Sequence, residues 1–219
     1  MAWPAMTLAD AHARLTAPGS PFETADAVVD GRAMTVWKHA PATLRDVFIA
    51  ARAAHGPKDF LVYEGERASV EAFARACLAL ADQLAALGVA KGDRVAVAMR
   101  NLPEWPVAAL ATVLLGAIVT PVNSWGTGPE LAYCLGDSGA KVAVVDAERW
   151  DRLQPLLGEL PALQRVLVCR AGGRALGDAR AQAWDELIGP VAGWAALPDR
   201  PLPAVDIGPD DDATLLYTS

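Results

Sequence analysis

The stretch Lys91–Asp146, KGDRVAVAMRNLPEWPVAALATVLLGAIVTPVNSWGTGPELAYCLGDSGAKVAVVD, decides the fold. It reads strand, helix, strand, helix, strand. Arg94–Met99 is apolar after its first residue and ends in the polar turn Arg100-Asn101. Pro103–Leu115 is a helix-length apolar segment with proline near its start, where a missing N–H costs least. Ile118–Val122 is a β-branched run, Gly128–Ser138 a second helix and Lys141–Asp146 a third strand. A fourth apolar run, Arg165–Cys169, follows after a helix-length gap. The four runs begin at residues 94, 118, 141 and 165, which is the spacing of a strand plus a crossover helix. The pattern predicts an α/β fold: a mostly parallel sheet flanked by helices. The units share a period but not residues, so this is not a sequence repeat.

Working outward, Asp59–Tyr63 (DFLVY) reads as a strand turning at Glu64-Gly65, and Ser69 as the cap of a helix from Val70 to Leu87. Phe73, Cys77, Leu80, Leu84 and Leu87 fall on one helical stripe that belongs to the core. Gly88 sits where a left-handed C-cap is wanted. Thr43, with Asp46 three positions on, predicts a helix to about His55. Residues 1–42 are weakly patterned and read as an N-terminal extension; Val28–Trp37 suggests a hairpin turning at Asp30-Gly31. Ala179–Ile188 suggests a short helix. The domain reading is therefore 1–42 extension, 43–188 α/β subdomain, 189–212 a Pro/Gly/Asp-rich connection, and 213–219 (Ala213–Tyr217, ATLLY, then Thr218-Ser219) the first strand of a second, missing subdomain.

Composition limits the function. The chain has 219 residues, 53% hydrophobic and 21% charged, enough to bury a sizeable core. Net charge is −7, and the 15 arginines are scattered, so there is no electrostatic case for nucleic acid. Cys77, Cys134 and Cys169 lie far apart in apolar segments and read as reduced, buried thiols of a cytoplasmic protein. The three histidines have no metal-ligand spacing, and the consecutive acids Asp210-Asp211-Asp212 cannot all face one ion, so no metal site is expected. The N-terminus lacks a basic region and a long apolar core, so it is no secretory signal. Trp105–Pro129 is uncharged and long enough to span a bilayer, but its prolines, glycines and Asn123-Ser124 make a buried helix and strand the better reading; no transmembrane segment is expected.

Two places invite a ligand. Thr127 and Glu130 have capping-box spacing at the start of the second crossover helix. Just before them Trp125 lies in a Gly-bearing loop after a strand, and ligands of open α/β sheets lie beyond the carboxyl ends of strands. Trp125 is thus a candidate for a substrate pocket, and equally a cover for the sheet edge. The other place is the hydroxyl-rich turn Thr218-Ser219.

Ala213-Thr214-Leu215-Leu216-Tyr217-Thr218-Ser219 resembles the start of the phosphate-binding loop of the adenylate-forming acyl-CoA synthetases, the fatty-acid–CoA ligase family. Gly88–Ala96 resembles that family's early segment and Asn101–Trp105 the start of its next helix. Leu115–Asn123 resembles its second core motif, and Glu130–Lys141 continues in the family's order. The resemblance runs from about Thr43 to Ser219. Ala68-Ser69-Val70 departs from the family's aliphatic, threonine and tyrosine, though Ser69 can still cap. The resemblance implies an AMP-forming acid–thiol ligase. A carboxylate and ATP give an acyl-adenylate, and coenzyme A then takes the acyl group. ATP, Mg²⁺ and CoA serve the full-length enzyme, with a fatty acid as the expected acid. It implies that Thr218 and Ser219 are phosphate contacts, and that the rest of the phosphate loop, the magnesium and ribose acids and the C-terminal lysine domain lie outside these 219 residues. No residue here is expected to be catalytic. The chain alone is expected to be inactive and to bind none of the three ligands tightly. Two other readings remain: a non-catalytic α/β nucleotide-binding module, although no complete Gly-rich fingerprint or P-loop is present, and an oligomerisation module, a homo-oligomer held by exposed apolar surface.

Overall fold

The computed structural model describes residues 5–29 and 31–218. It divides into two compact units, 1–42 and 43–219. In the first, α1 (Leu8–Leu15) is capped by Thr7, and β1 (Thr24–Val29) pairs antiparallel with β2 (Arg32–Trp37). The hairpin begins four residues earlier than the sequence suggested. Asp30, the first residue of its expected turn, lies outside the described residues.

The second unit is built on a five-stranded sheet, every neighbouring pair parallel. Its strands are β5 (Arg94–Ala98), β6 (Ile118–Pro121), β7 (Val142–Asp146), β8 (Arg165–Cys169) and β9 (Ala181–Ala183), in the order β6-β5-β7-β8-β9. Helices α2 (Leu44–His55), α3 (Val70–Ala86) and α4 (Glu104–Leu114) pack on one another. Val95, Val97, Val142, Val144, Leu167 and Cys169 face the core shared with these helices. Ala96, Ala98, Ala143, Val145, Val166 and Val168 face the other core, with α5 (Gly128–Asp137) and α6 (Ala147–Leu153). Alternate residues of each strand are thus buried on opposite faces, which is why the strands read as unbroken apolar runs.

The local signals act as their chemistry dictates. The Thr43 hydroxyl accepts from Asp46 N, and Asp46 accepts from Thr43 N, a complete capping box. Ser69 accepts from Ala72 N, so the departure at Ala68-Ser69-Val70 keeps its cap. Gly88, at φ +81°, closes α3 in the left-handed region. Of the α3 stripe, Phe73, Cys77, Leu80 and Leu84 are buried and Leu87 is partly buried. Small residues Ala74, Ala76, Ala79 and Ala81 bury the rest of the helix, so α3 is a core helix and not merely an amphipathic cover. Among the described residues no helix is long and apolar enough to cross a membrane.

Four segments differ from expectation. Glu66–Ser69 forms a strand, β4, antiparallel to β3 (Asp59–Tyr63), with Glu64 at φ 48° in the turn. The helix expected at 179–188 is absent. Asp178 accepts from Arg180 N, Val166 N donates to Arg180 O, and β9 extends the β8 edge before one 3₁₀ turn, Trp184–Glu186. Strand pairing had already claimed the backbone a helix needs. Residues 189–212, read as a Pro/Gly/Asp-rich connection, are packed rather than free. Val191 and Trp194 are buried, and Arg75, Arg45 and Lys91 donate to the carbonyls of Leu197, Val205 and Asp206. Ala213–Tyr217 is no full strand, because only Thr214 bridges, parallel, to Val119 at the β6 edge. Val119 N donates to Ala213 O and Leu215 N donates to Val119 O. The next β6 residue facing that way is Pro121, which has no N–H to continue the ladder. Of the cysteines, Cys77 and Cys169 are buried, but Cys134 is only half-buried.

Candidate functional site

The order β6-β5-β7 places a reversal of strand progression between β5 and β7, where ligands of doubly wound sheets commonly bind. Here that crevice is filled. Asp146 ends β7 and caps α6, its Oδ1 accepting from Arg149 N at 3.0 Å. Its Oδ2 accepts from Arg100 N, just beyond β5, at 3.0 Å. Arg149 is 1% exposed. Its Nη1 donates to both Asp146 oxygens, at 3.2 and 3.0 Å, and to Glu148 Oε2 at 2.9 Å. Its Nε donates to Ser124 O at 2.6 Å. One buried ion pair therefore ties together the ends of β5 and β7 and the loop after β6.

That loop, 123–127, is held from both sides. Asn123 Oδ1 accepts from Trp125 N, Gly126 N donates to Asn123 O, and Arg152 donates to Gly126 O. Thr127 N and Oγ1 donate to Glu130 Oε2 at 2.6 and 2.9 Å. These bonds, the backbone one first, hold the Glu130 carboxyl below its usual range. Gly128 opens α5 against α6. A Cβ there would stand 2.7 Å from Arg152 O, so only glycine permits the approach.

Beside this loop lies an open groove of about 660 Å³. Val122 and Asn123 line it from the end of β6, Leu131, Tyr133 and Cys134 from α5, and Tyr217 and Thr218 from the C-terminal segment. The Tyr217 hydroxyl donates to Asp137 Oδ2 at 2.7 Å and Cys134 O at 3.2 Å, which anchors that segment to α5. Burial, with Asp137 beside it, pushes the phenol up to about 12. Burial likewise raises the Cys134 thiol, with Asp137 and Glu130 adding to it. Both groups stay protonated near neutrality, and the Glu130 carboxylate is committed to Thr127. The groove can hold a ligand by apolar contact and a few polar atoms, but among the described residues it presents no poised acid, base or nucleophile.

Of the residues the sequence singled out, Thr218 lines the groove. Ser219 lies outside the described residues. Trp125 does not line the groove, although its neighbours Asn123 and Gly126 do. It is 71% exposed, with the Arg100 guanidinium stacked 3.6 Å from its ring centroid. The sequence reading missed Asp146 and Arg149. Their signal was present: an acid ending a buried strand, with an arginine three residues later, about one helical turn on. Among the described residues no three His, Cys, Asp or Glu side chains group to hold a metal ion. Asp211, in the acidic run, is paired with Lys91 at 2.7 Å.

A family model described as AMP-binding enzyme matches residues 48–219. The chain belongs to that family. The chain is 32% identical over 152 residues to a long-chain-fatty-acid–CoA ligase of Mycobacterium tuberculosis, covering 69% of the chain but 26% of that protein. It is 33% identical over 136 residues to a 3-hydroxybenzoate/4-hydroxybenzoate–CoA ligase of Thauera aromatica, covering 62% of the chain and 24% of that enzyme. A crystal structure of the N-terminal domain of FACL13 from M. tuberculosis superposes with a TM-score of 0.58 at 27% identity, covering 78% of this chain and 40% of that one. The chain thus spans about a quarter of the length of the curated relatives it matches.

Proposed function

We propose that these residues furnish part of a cytoplasmic, ATP-dependent acyl-CoA ligase acting on a medium- or long-chain fatty acid. The observation that carries the reading is the family match across 48–219, joined to relatives named as acid–CoA ligases. In the proposed reaction a carboxylate oxygen attacks the α-phosphorus of ATP. The bond to the bridging oxygen breaks and pyrophosphate leaves. The CoA thiol then gives up its proton and attacks the acyl carbon, and AMP departs with the carboxylate oxygen. Attack of one anion on another needs positioning and charge neutralisation.

Of that apparatus this chain offers a shaped sheet end and the hydroxyl of Thr218, with Ser219 as a second proposed phosphate contact. Trp125 is proposed to border the acyl group from outside the groove. Among the described residues no Lys or Arg lines the groove, and the 219 residues alone are proposed to be inactive. ATP, Mg²⁺ and CoA are proposed as ligands of the complete protein that carries them.

ATP–pyrophosphate exchange tests this with a panel of acids. The complete protein is expected to exchange with fatty acids and not with hydroxybenzoates, and the 219-residue chain with neither. Exchange driven only by aromatic acids would overturn the substrate. Exchange by the 219 residues at an enzyme's ordinary rate would overturn the account of the missing groups.

A further inference from the structure

Helix α5 ends on a charge of the wrong sign. Its last residue, Asp137, puts a carboxylate at the negative end of the helix dipole, and no basic residue stands in that turn. Among the described residues no Lys, Arg or His pairs with it. The helix end does not need this acid. Ser138 closes it, its N–H and its hydroxyl donating to Cys134 O at 3.1 and 2.6 Å.

What Asp137 does hold is Tyr217. The phenol donates to its Oδ2 at 2.7 Å, a shorter bond than the 3.2 Å one to Cys134 O. Burial, with that carboxylate beside it, keeps the phenol protonated, so the hydroxyl remains a donor near neutrality. Tyr217 is the residue before Thr218, which lines the groove. Upstream the same segment is fixed at Thr214 by the bridge to Val119. After Leu215 N, which donates to Val119 O, no backbone bond ties the segment to the sheet among the described residues. Leu215 and Leu216 are exposed, so packing of their side chains adds little to the hold. The bond from Tyr217 to Asp137 is therefore the main constraint on where Thr218 stands.

We infer that Asp137 is a positioning residue for the nucleotide: acting through Tyr217, it fixes Thr218 in the groove wall before ATP arrives. The inference rests on the ligase reading, in which the Thr218 hydroxyl meets a phosphate. Asp137 itself touches no ligand. Its effect is pre-ordering, since a residue already fixed has little freedom left to lose when the ligand binds. That role accounts for an acid at a helix end where the dipole disfavours one.

Pyrophosphate exchange by the complete protein tests this. Tyr217→Phe should raise the KM for ATP about three- to tenfold, the scale of one net hydrogen bond. The kcat and the KM for the acid should stay within about twofold of the parent. Asp137→Ala leaves the phenol only its bond to Cys134 O and should raise the KM for ATP at least about twofold. It should do so without lowering Tm, because the charge it removes opposes the dipole. Asp137→Asn keeps an acceptor and should recover most of the loss. The double variant Tyr217→Phe with Asp137→Ala should be no worse than Tyr217→Phe alone. A purely structural role would instead lower kcat at constant KM, because fewer molecules would be folded. In the 219-residue chain, ¹⁵N relaxation reads the hold directly: the order parameter of the Thr218 amide should fall in both single variants. With an active parent, an unchanged KM for ATP in both single variants overturns the inference. So does a rise in Tyr217→Phe that Asp137→Ala does not share, because the phenol then acts without Asp137. An unchanged order parameter overturns it too. A parent that exchanges with no acid overturns the ligase reading and this inference with it, so the parent's own rate tells the two failures apart.

Discussion

Replacing Arg149 by methionine keeps most of the side-chain volume and removes the guanidinium. The parent Arg149 is 1% exposed and bonds Asp146, Glu148 and the Ser124 carbonyl. Breaking a buried pair from one side leaves an uncompensated charge, at a cost of about 3–5 kcal/mol. Asp146 keeps two backbone donors, Arg100 N and Arg149 N, and Arg149 Nη2 has no partner in the parent. Both facts place the expected loss at the lower end, about 3 kcal/mol. For a chain of this size that lowers Tm by roughly 6–12 °C. Urea unfolding followed by tryptophan fluorescence reads it, since Trp150, Trp184 and Trp194 are fully buried in the same unit. Asp146→Asn alone should cost a similar amount, and the double variant less than the sum of the two. Amides of the 123–127 loop should exchange faster in Arg149→Met, because Ser124 O has lost its donor. A stability within about 0.5 kcal/mol of the parent would refute the claim that this pair holds the sheet end together.

Gly128→Ala should destabilise by about 1–3 kcal/mol, because the new methyl meets the Arg152 carbonyl at 2.7 Å; an unchanged urea midpoint would contradict the close α5–α6 approach. Arg52, and after it Arg75, hold the Glu71 carboxyl down to about 2 from 4.5, against the opposing effect of burial. The folded acid therefore gives up its proton more readily than the unfolded one. Its stabilisation is complete above pH 4.5 and is lost as pH falls towards 2. Tm plotted from pH 5 to 2 should fall less steeply in Glu71→Gln than in the parent, and parallel curves would contradict this. Pro121→Ala supplies the N–H that the β6 edge lacks, so the new amide and that of Tyr217 should become protected in hydrogen exchange; loop-like exchange of the new amide would show that proline is not what stops the bridge at Thr214.

The parallel sheet was legible because its signals are local and repeated. Each buried strand is an apolar run, each crossover fills the gap, and Thr43, Ser69 and Gly88 mark helix ends by their own chemistry. What was not legible depends on partners distant in sequence. Ala181–Ala183 has no strand character of its own and pairs because the β8 edge is there to receive it. Trp194 gives residues 189–212 a buried anchor, although prolines and glycines surround it. The edge of β6 stops at one bridge because of a proline in a different segment from the one it limits. At the candidate site, Thr218 was singled out by the family resemblance as a phosphate contact, and its place in the wall of the groove comes from the fold. The outward stacking of Trp125 on Arg100 could not be read from the sequence, because the two come from different strand ends.

The central claim is that these residues belong to an enzyme that activates a carboxylate as its adenylate. The most direct test supplies the complete protein with ATP, CoA and decanoate carrying ¹⁸O in its carboxyl group. Mass spectrometry then follows the label. The account predicts one ¹⁸O in the phosphate of AMP, with unlabelled pyrophosphate, because the oxygen that attacked phosphorus leaves with AMP when the thiol attacks carbon. Label in inorganic phosphate with ADP as co-product, or acyl-CoA formed with unlabelled AMP, would contradict it.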